Sequence, residues 1–256
     1  MRMSAYLWQE LPKAVLKQSK IVAMNLKEMR RIIAREPEIA PGEFDPATLP
    51  QLLRKENPVI LDIGCNNGRH TLLFLSLFEN ARVFSFEPDP RAQERFEKKV
   101  TDPRAKLFEV AISATDGTAE FYVSDGSPSS EWKEKLPKGW DLSGSIKKPK
   151  KHLKVHPWCT FKKRITVSTK KLDTWQREEG VDEIDFIWAD VQGAEADLIK
   201  GGQTALCHTR YFYTEYSDRE LYQGQPKLRA LLKLLPDFEV VARYSNDVLL
   251  KNKRCE

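Results

Sequence analysis

The sequence predicts an α/β fold, a doubly wound, mostly parallel seven-stranded sheet closed by an antiparallel C-terminal edge hairpin, with an N-terminal helical extension and a basic inserted loop. Three observations predict it. Short apolar runs bounded by Gly, Pro and Asn alternate with helical patterns, the signature of β-α-β units. Those runs are continuously apolar rather than alternating, so both faces of each strand are buried, as in a parallel sheet covered by helices on both sides. The chain has 256 residues, 41% of them hydrophobic, enough for one large core.

Taken in order, Leu7, Leu11, Val15, Val22, Leu26, Met29 and Ile33 recur at three-, four- and seven-residue steps and share one helical face. They predict helices capping the main domain; a membrane-surface role for the basic opposite face would have only Trp8 as an aromatic anchor. Pro37, Pro41, Pro46 and Pro50 then forbid a long helix. Residues 1–57 thus read as a helical extension and Pro-rich connection ending in a short helix near Pro50 to Lys55. The core domain, 58–251, opens with a strand at 59–63, a helix at 70–78, a strand at 81–86, a charged helix at 90–100 and a strand at 106–111. Residues 118–123 read as an extra strand. Residues 124–157 show no period and read as a loop or lid, within an insertion spanning about 124–162. Alternation resumes with a strand at 184–189, a helix at 194–200, a strand at 211–216 and a helix at 228–235. Strands at 238–242 and 247–250 close as the edge hairpin, and residues 252–256 form a tail.

Lys and Arg total 42 against 37 Asp and Glu, a net charge of +5. One segment causes it. No acid lies between Asp141 and Asp173, where Lys147, Lys148, Lys150, Lys151, Lys154, Lys162, Lys163, Arg164, Lys170 and Lys171 stand. Without these ten the chain holds 32 basic and 37 acidic residues and carries −5, so any charged partner concerns this segment alone. Cys65, Cys159, Cys207 and Cys255 are too sparse for a metal cluster or a disulfide framework, which points to a reducing, cytoplasmic setting. No eighteen apolar residues run together and no secretory signal opens the chain. Residues 2–35 hold eight Lys/Arg, but Glu10 and Glu28 argue against a mitochondrial transit peptide.

Chemistry concentrates at Val59-Ile-Leu-Asp-Ile-Gly-Cys-Asn-Asn-Gly68. A strand running through a Gly-containing turn into a helix gathers backbone N–H groups and a helix N-terminus around a ligand. Gly64 and Gly68 allow close backbone approach, while Asp62 and Asn66 offer side chains for an amine or carboxylate. The pattern is neither the three-glycine dinucleotide fingerprint nor a P-loop, and a tight turn alone would also explain it. Glu87 raises its weight. It ends the second strand, 23 residues after Gly64, where a carboxylate accepts both ribose hydroxyls of a bound nucleoside; the alternative is a helix cap before Pro88.

Together these segments resemble a class I, Rossmann-like S-adenosylmethionine (SAM) dependent methyltransferase. Asp190-Val-Gln-Gly-Ala-Glu195, followed by Leu198-Ile-Lys-Gly201, more narrowly resembles the FkbM family signature. The turn at 62–68, Phe86-Glu-Pro88, Val110-Ala-Ile-Ser113, Ser143-Gly-Ser145, Leu172-Asp173 and Glu215 also align with that family, over roughly Pro58 to Lys251. The resemblance implies methyl transfer from SAM to a hydroxyl oxygen, commonly of a sugar or polyketide. It assigns Asp62, Gly64, Cys65, Asn66, Asn67, Gly68, Glu87, Ala111, Ile112, Asp190 and Gln192 to the cofactor. Asp190, Glu195 and Glu215 should face one crevice, where mutual repulsion raises a carboxylate's pKa and readies it as a base. Helix capping for Asp190 and Glu195, and a rim charge for Glu215, are the alternatives. An acidic crevice suits Mg²⁺, although nothing in the spacing requires a metal.

Two departures stand out. The family commonly has Lys where this chain has Trp188, and His70 follows the first turn as a further candidate base or an exposed helix residue. Ser145, Lys147, Lys148 and Glu215 are the expected acceptor contacts, the basic segment acting as a lid that attracts an anionic acceptor such as a phosphate-bearing sugar; a solvated loop is the alternative. The expected enzyme is an O-methyltransferase acting on a sugar, glycan or similar hydroxylated molecule. The runner-up is a nucleic-acid methyltransferase using the lysines with Trp158 and Phe161, although the fourth-strand motif lacks the Asn/Asp-Pro-Pro-aromatic pattern used on base amines. A SAM-binding scaffold without turnover is the third reading.

Overall fold

The computed structural model describes residues 39–130 and 139–255; the apolar face from Leu7 to Ile33 lies outside the described residues. Seven strands form the main sheet: β1 Val59–Ile63, β2 Arg82–Phe86, β3 Ala105–Phe108, β7 Ile184–Ala189, β8 Thr209–Glu215, β9 Phe238–Arg243 and β10 Asp247–Asn252. Their order is β3-β2-β1-β7-β8-β10-β9. All pairings are parallel except those of β10, which runs antiparallel to β8 and β9, as the edge hairpin predicts. The chain order reverses between β1 and β7, and a crevice opens beyond their C-terminal ends, the usual ligand position in such sheets.

The apolar runs are buried on both faces because helices cover both. On one side Trp175, from α5 Leu172–Glu179, meets Phe84 and Phe86 edge-on at 5.1 and 5.2 Å between ring centroids. Leu61, Ile63, Ile187 and Phe212 share that core. On the other, Phe74 of α2 Arg69–Leu77 packs with Ile60, Val83 and Phe186. Each large side chain so buried is worth about 1.5–3 kcal/mol relative to exposure. Phe44 and α1 Leu49–Leu53 join this second core through Leu49 and Leu53. The stretch read as a connection thus packs with the sheet from Ile39 onward. Asp89 caps α3 Pro90–Lys99 by accepting from Arg91 N at 2.9 Å, with Pro90 at the first helical position.

The segment read as an inserted loop differs most from expectation. Beside β4 Ala111–Ile112 stand two long strands, β5 Gly117–Gly126 and β6 Cys159–Lys170, in a second sheet of order β4-β6-β5. Ile165, Val167 and Thr169 turn inward while Arg164, Thr166 and Ser168 are exposed. That period-2 pattern belongs to a half-buried strand, and the adjacent charges Lys162 and Lys163 hide it. Among the described residues between the strands, one helical turn stands out, α4 His152–Val155, whose His152 is buried. Tyr122 and Ser145 exchange backbone hydrogen bonds, at 2.8 and 3.2 Å, fixing the crossing chain over the crevice. Among the described residues the further α-helices are α6 Glu195–Gly201, α7 Gln203–Cys207 and α8 Leu228–Leu234.

Candidate active site

Two clefts meet at Asp190. The first is lined by Gly64, Asn66, Glu87, Ala111, Ile112, Asp141, Ser145, Asp190 and Gln192, with Ile63, Phe86 and Val110 among its apolar walls. Its geometry starts from the turn after β1. Gly64 N and Cys65 N donate to Phe86 O at 2.9 and 3.1 Å, which folds the turn over the end of β2. Gly64 is needed twice. Its φ is +83°, and a Cβ there would lie 1.9 Å from the Asp190 carbonyl oxygen. Asn66, also left-handed at φ +46°, donates its N–H to Glu87 Oε2 at 2.9 Å, while Asp89 N donates to Oε1 at 2.8 Å. Burial nevertheless pushes the Glu87 carboxyl up to about 8, against the pull of those two N–H groups.

Asp62, Cys65, Asn67 and Gly68 share this turn but do not line the cleft. Asp62 is wholly buried and accepts from Thr71 Oγ1 at 2.6 Å; burial raises its carboxyl to about 7. It ties β1 to α2. Cys65 is buried as a packing residue. Gly68 starts α2 at φ +78°, packed against Phe96 and Val100. Asp141, which the sequence did not single out, lines the cleft, forms an ion pair with Arg95 and leaves its buried Oδ1 without a hydrogen-bond partner.

The second cleft is lined by Glu43, Phe44, Arg69, His70, Trp188, Asp190, Tyr213, Glu215 and Asp247. His70, Trp188 and Tyr213 stand in a row, with 4.3 Å between successive ring centroids. Burial, aided by Arg69, lowers the His70 imidazole to about 4, so it is neutral near pH 7 and a weak base.

At the shared wall, Gln192 Nε2 donates to Asp190 Oδ1 at 2.6 Å and to Glu215 Oε2 at 3.3 Å. Its Oε1 accepts from Tyr222 Oη at 3.0 Å, and Tyr222 also lies 2.8 Å from Ser143 O. Gln192 is left-handed at φ +48°, an unusual state for a side chain of this size. Its carbonyl accepts from Ser145 Oγ at 2.8 Å. Burial raises both carboxyls, and for Glu215 the neighbouring Asp190 charge raises it further. The pair therefore holds a proton at pH values where free carboxylates hold none. Glu195 stands apart. It lines neither cleft and accepts from Gly193 N at 2.9 Å, closing the turn into α6; burial raises it to about 7.

The lysines expected to contact the acceptor are placed elsewhere. Lys147 forms an ion pair with Asp197, Lys150 pairs with Glu220 at 2.5 Å, and neither Lys147 nor Lys148 lines either cleft. Trp158 packs edge-on against Trp140 at 4.7 Å, and Phe161 against His152 at 5.2 Å. Among the described residues no three metal-ligating side chains converge, and no helix is long and apolar enough to cross a membrane.

Comparison with known proteins matches residues 62–244 to the model of the Methyltransferase FkbM domain. The chain is 50% identical to the 2-O-methyltransferase NoeI of Sinorhizobium fredii, over 79% of this chain and 83% of that one. It is 25% identical to the methyltransferase sdnD of Sordaria araneosa over 62% and 63% of the two chains. Among solved structures, a TehB-like SAM-dependent methyltransferase from Corynebacterium glutamicum superposes with a TM-score of 0.39 and 12% identity, covering 90% of this chain and 97% of that one.

Proposed function

The chain belongs to the FkbM family of methyltransferases, and on that premise we propose that it methylates a hydroxyl oxygen of a sugar or similar polyol, with SAM in the first cleft and the acceptor in the second. One observation carries the reading: Asp190, paired with Glu215 and held by Gln192, is the wall common to both clefts. The 2-O-methyltransferase relative supports oxygen as the atom methylated.

The first cleft fits the cofactor. Glu87, fixed by two backbone N–H groups, keeps lone pairs for a ribose diol, and the unpartnered Asp141 Oδ1 suits an amine donor. When bound, SAM supplies the electrophilic methyl group. The protein's own task is to align the acceptor oxygen, worth on the order of 7–11 kcal/mol in well-oriented systems, and to take its proton. Asp190 receives that proton. Gln192 donates 2.6 Å from its Oδ1, which favours the ionised form, and Glu215 beside it carries the proton the pair already shares. The nucleic-acid reading is less favoured because Trp158 and Phe161 each pack edge-on against another ring and stand half-buried rather than presented as an open stacking platform.

Purified protein incubated with methyl-labelled SAM and a panel of deoxy-sugars, nucleotide sugars and lipid-linked glycans should give a labelled ether. Absence of labelled product together with absence of SAM binding would refute the proposal.

A further inference from the structure

The second cleft has a composition that the basic segment had concealed. One part of its lining is the row His70, Trp188 and Tyr213, with Phe44 beside Tyr213 at 5.2 Å. The rest carries four carboxyls, the half-buried Asp190, Glu215 and Asp247 and the exposed Glu43, against one cation, Arg69. His70 adds no charge near pH 7 because burial and Arg69 hold it low. Tyr213 keeps its proton, as burial and the nearby Asp247, Glu215 and Glu43 carboxylates raise it, and it hydrogen-bonds Asp247. Asp247 titrates at about 6, raised by burial and then by Glu43 and Asp190. Even with one proton shared between Asp190 and Glu215, the cleft lining is negative on balance.

Resting on the proposed acceptor role of this cleft, we infer that the enzyme selects its acceptor by charge, taking an uncharged sugar ring and rejecting one that bears phosphate, and that Trp188 is the residue that sets this choice. A ring of apolar C–H edges and hydroxyls matches a lining of aromatic side chains beside carboxylate acceptors. A phosphate would face like charges in a partly dry cleft, a costly juxtaposition. Trp188 decides because its position is two residues before Asp190, on the same strand. A cation at this position would stand among the cleft's carboxylates and offset them. In this chain an indole fills the space between His70 and Tyr213 instead.

The test uses the full-length protein with methyl glycosides of common hexoses and 6-deoxyhexoses, each matched to its sugar 1-phosphate. Acceptor binding is followed by titration calorimetry in the presence of S-adenosylhomocysteine, and kcat/KM by label transfer. The methyl glycoside that binds best should be preferred over its phosphate by at least tenfold. Trp188→Lys should cut that ratio at least fivefold, and Glu43→Gln, at an exposed position, should cut it at least twofold without refolding risk. Preference for the phosphate in the wild type, or a ratio unchanged in both variants, would overturn the inference. Binding selectivity without turnover of any sugar would instead sink the proposed function and leave the charge selection standing, so the two failures are distinguishable.

Discussion

Cofactor affinity should rise steeply with pH, and Glu87 should be the cause. Its carboxyl is pushed up to about 8 by burial, yet a ribose diol is best held by the anion, which accepts both hydroxyls. At pH 6 only about 1% of a group with that pKa is ionised, and at pH 8 about half, so an anion-requiring ligand gains about fifty-fold in affinity, or about 2.3 kcal/mol. The sign also fixes stability. A carboxyl raised in the folded state contributes stability that is complete below its unfolded pKa, near 4.5, and is lost as pH climbs through 8. The ligand-free protein should therefore lose Tm over this window, while SAM should restore more Tm at pH 8 than at pH 6. Titration calorimetry at pH 6, 7 and 8, in buffers of different ionisation enthalpy, reads both affinity and proton release. Glu87→Gln supplies the reference, because the ligand's own amine titrates equally with either protein. An identical pH slope in wild type and variant would refute the reasoning, as would a wild-type affinity that falls relative to the variant between pH 6 and 8.

Four further outcomes are expected. Asp190→Asn should lower kcat by about 10²–10⁴-fold, the usual worth of a positioned base, while calorimetry still detects SAM binding. Tyr222→Phe removes the hydroxyl that orients the Gln192 amide; kcat should fall about tenfold, in line with a lost buried hydrogen bond of about 1–1.5 kcal/mol, and the acid limb of the pH–kcat profile should move upward because the Asp190 anion is less well held. Gly64→Ala should destabilise by more than about 2 kcal/mol in denaturant unfolding, since both its φ and the Asp190 carbonyl oppose a Cβ. Lys147→Gln and Lys150→Gln should leave the acceptor KM unchanged in steady-state assays, because their partners are Asp197 and Glu220 rather than substrate.

The strands of the main sheet, the turn at 62–68, the strand end at Glu87 and the run from Asp190 to Glu195 are legible because their signals are local: an apolar run, a Gly at a strand end, an acid at a fixed offset. Within that run the reading blurred. Glu195 and Asp190 look alike in sequence, and only the direction of each side chain separates a turn-closing carboxylate from one that faces both clefts. Tyr222 and Asp141 carried no local signal at all. Each comes from an aperiodic stretch and acquires its place through partners at least 30 residues away, Gln192 for one and Arg95 for the other. The lysine run hid its partners for the complementary reason. Counting charges along the chain could not reveal that Asp197 and Glu220, 50 and 70 residues downstream, neutralise Lys147 and Lys150.

The contact between Gly64 and the Asp190 carbonyl bears on how such an enzyme can change. Asp190 N also donates to Ile63 O at 2.9 Å, so the residue proposed to take the proton is registered against the end of the neighbouring central strand. The second cleft mixes two kinds of part: Trp188 belongs to the same central strand that leads to Asp190, whereas Glu43 is exposed on the segment before the first strand. A change at Trp188 therefore acts within the lattice that registers Asp190, while a change at Glu43 leaves that lattice alone, which makes residue 43 the economical place to begin retargeting the enzyme.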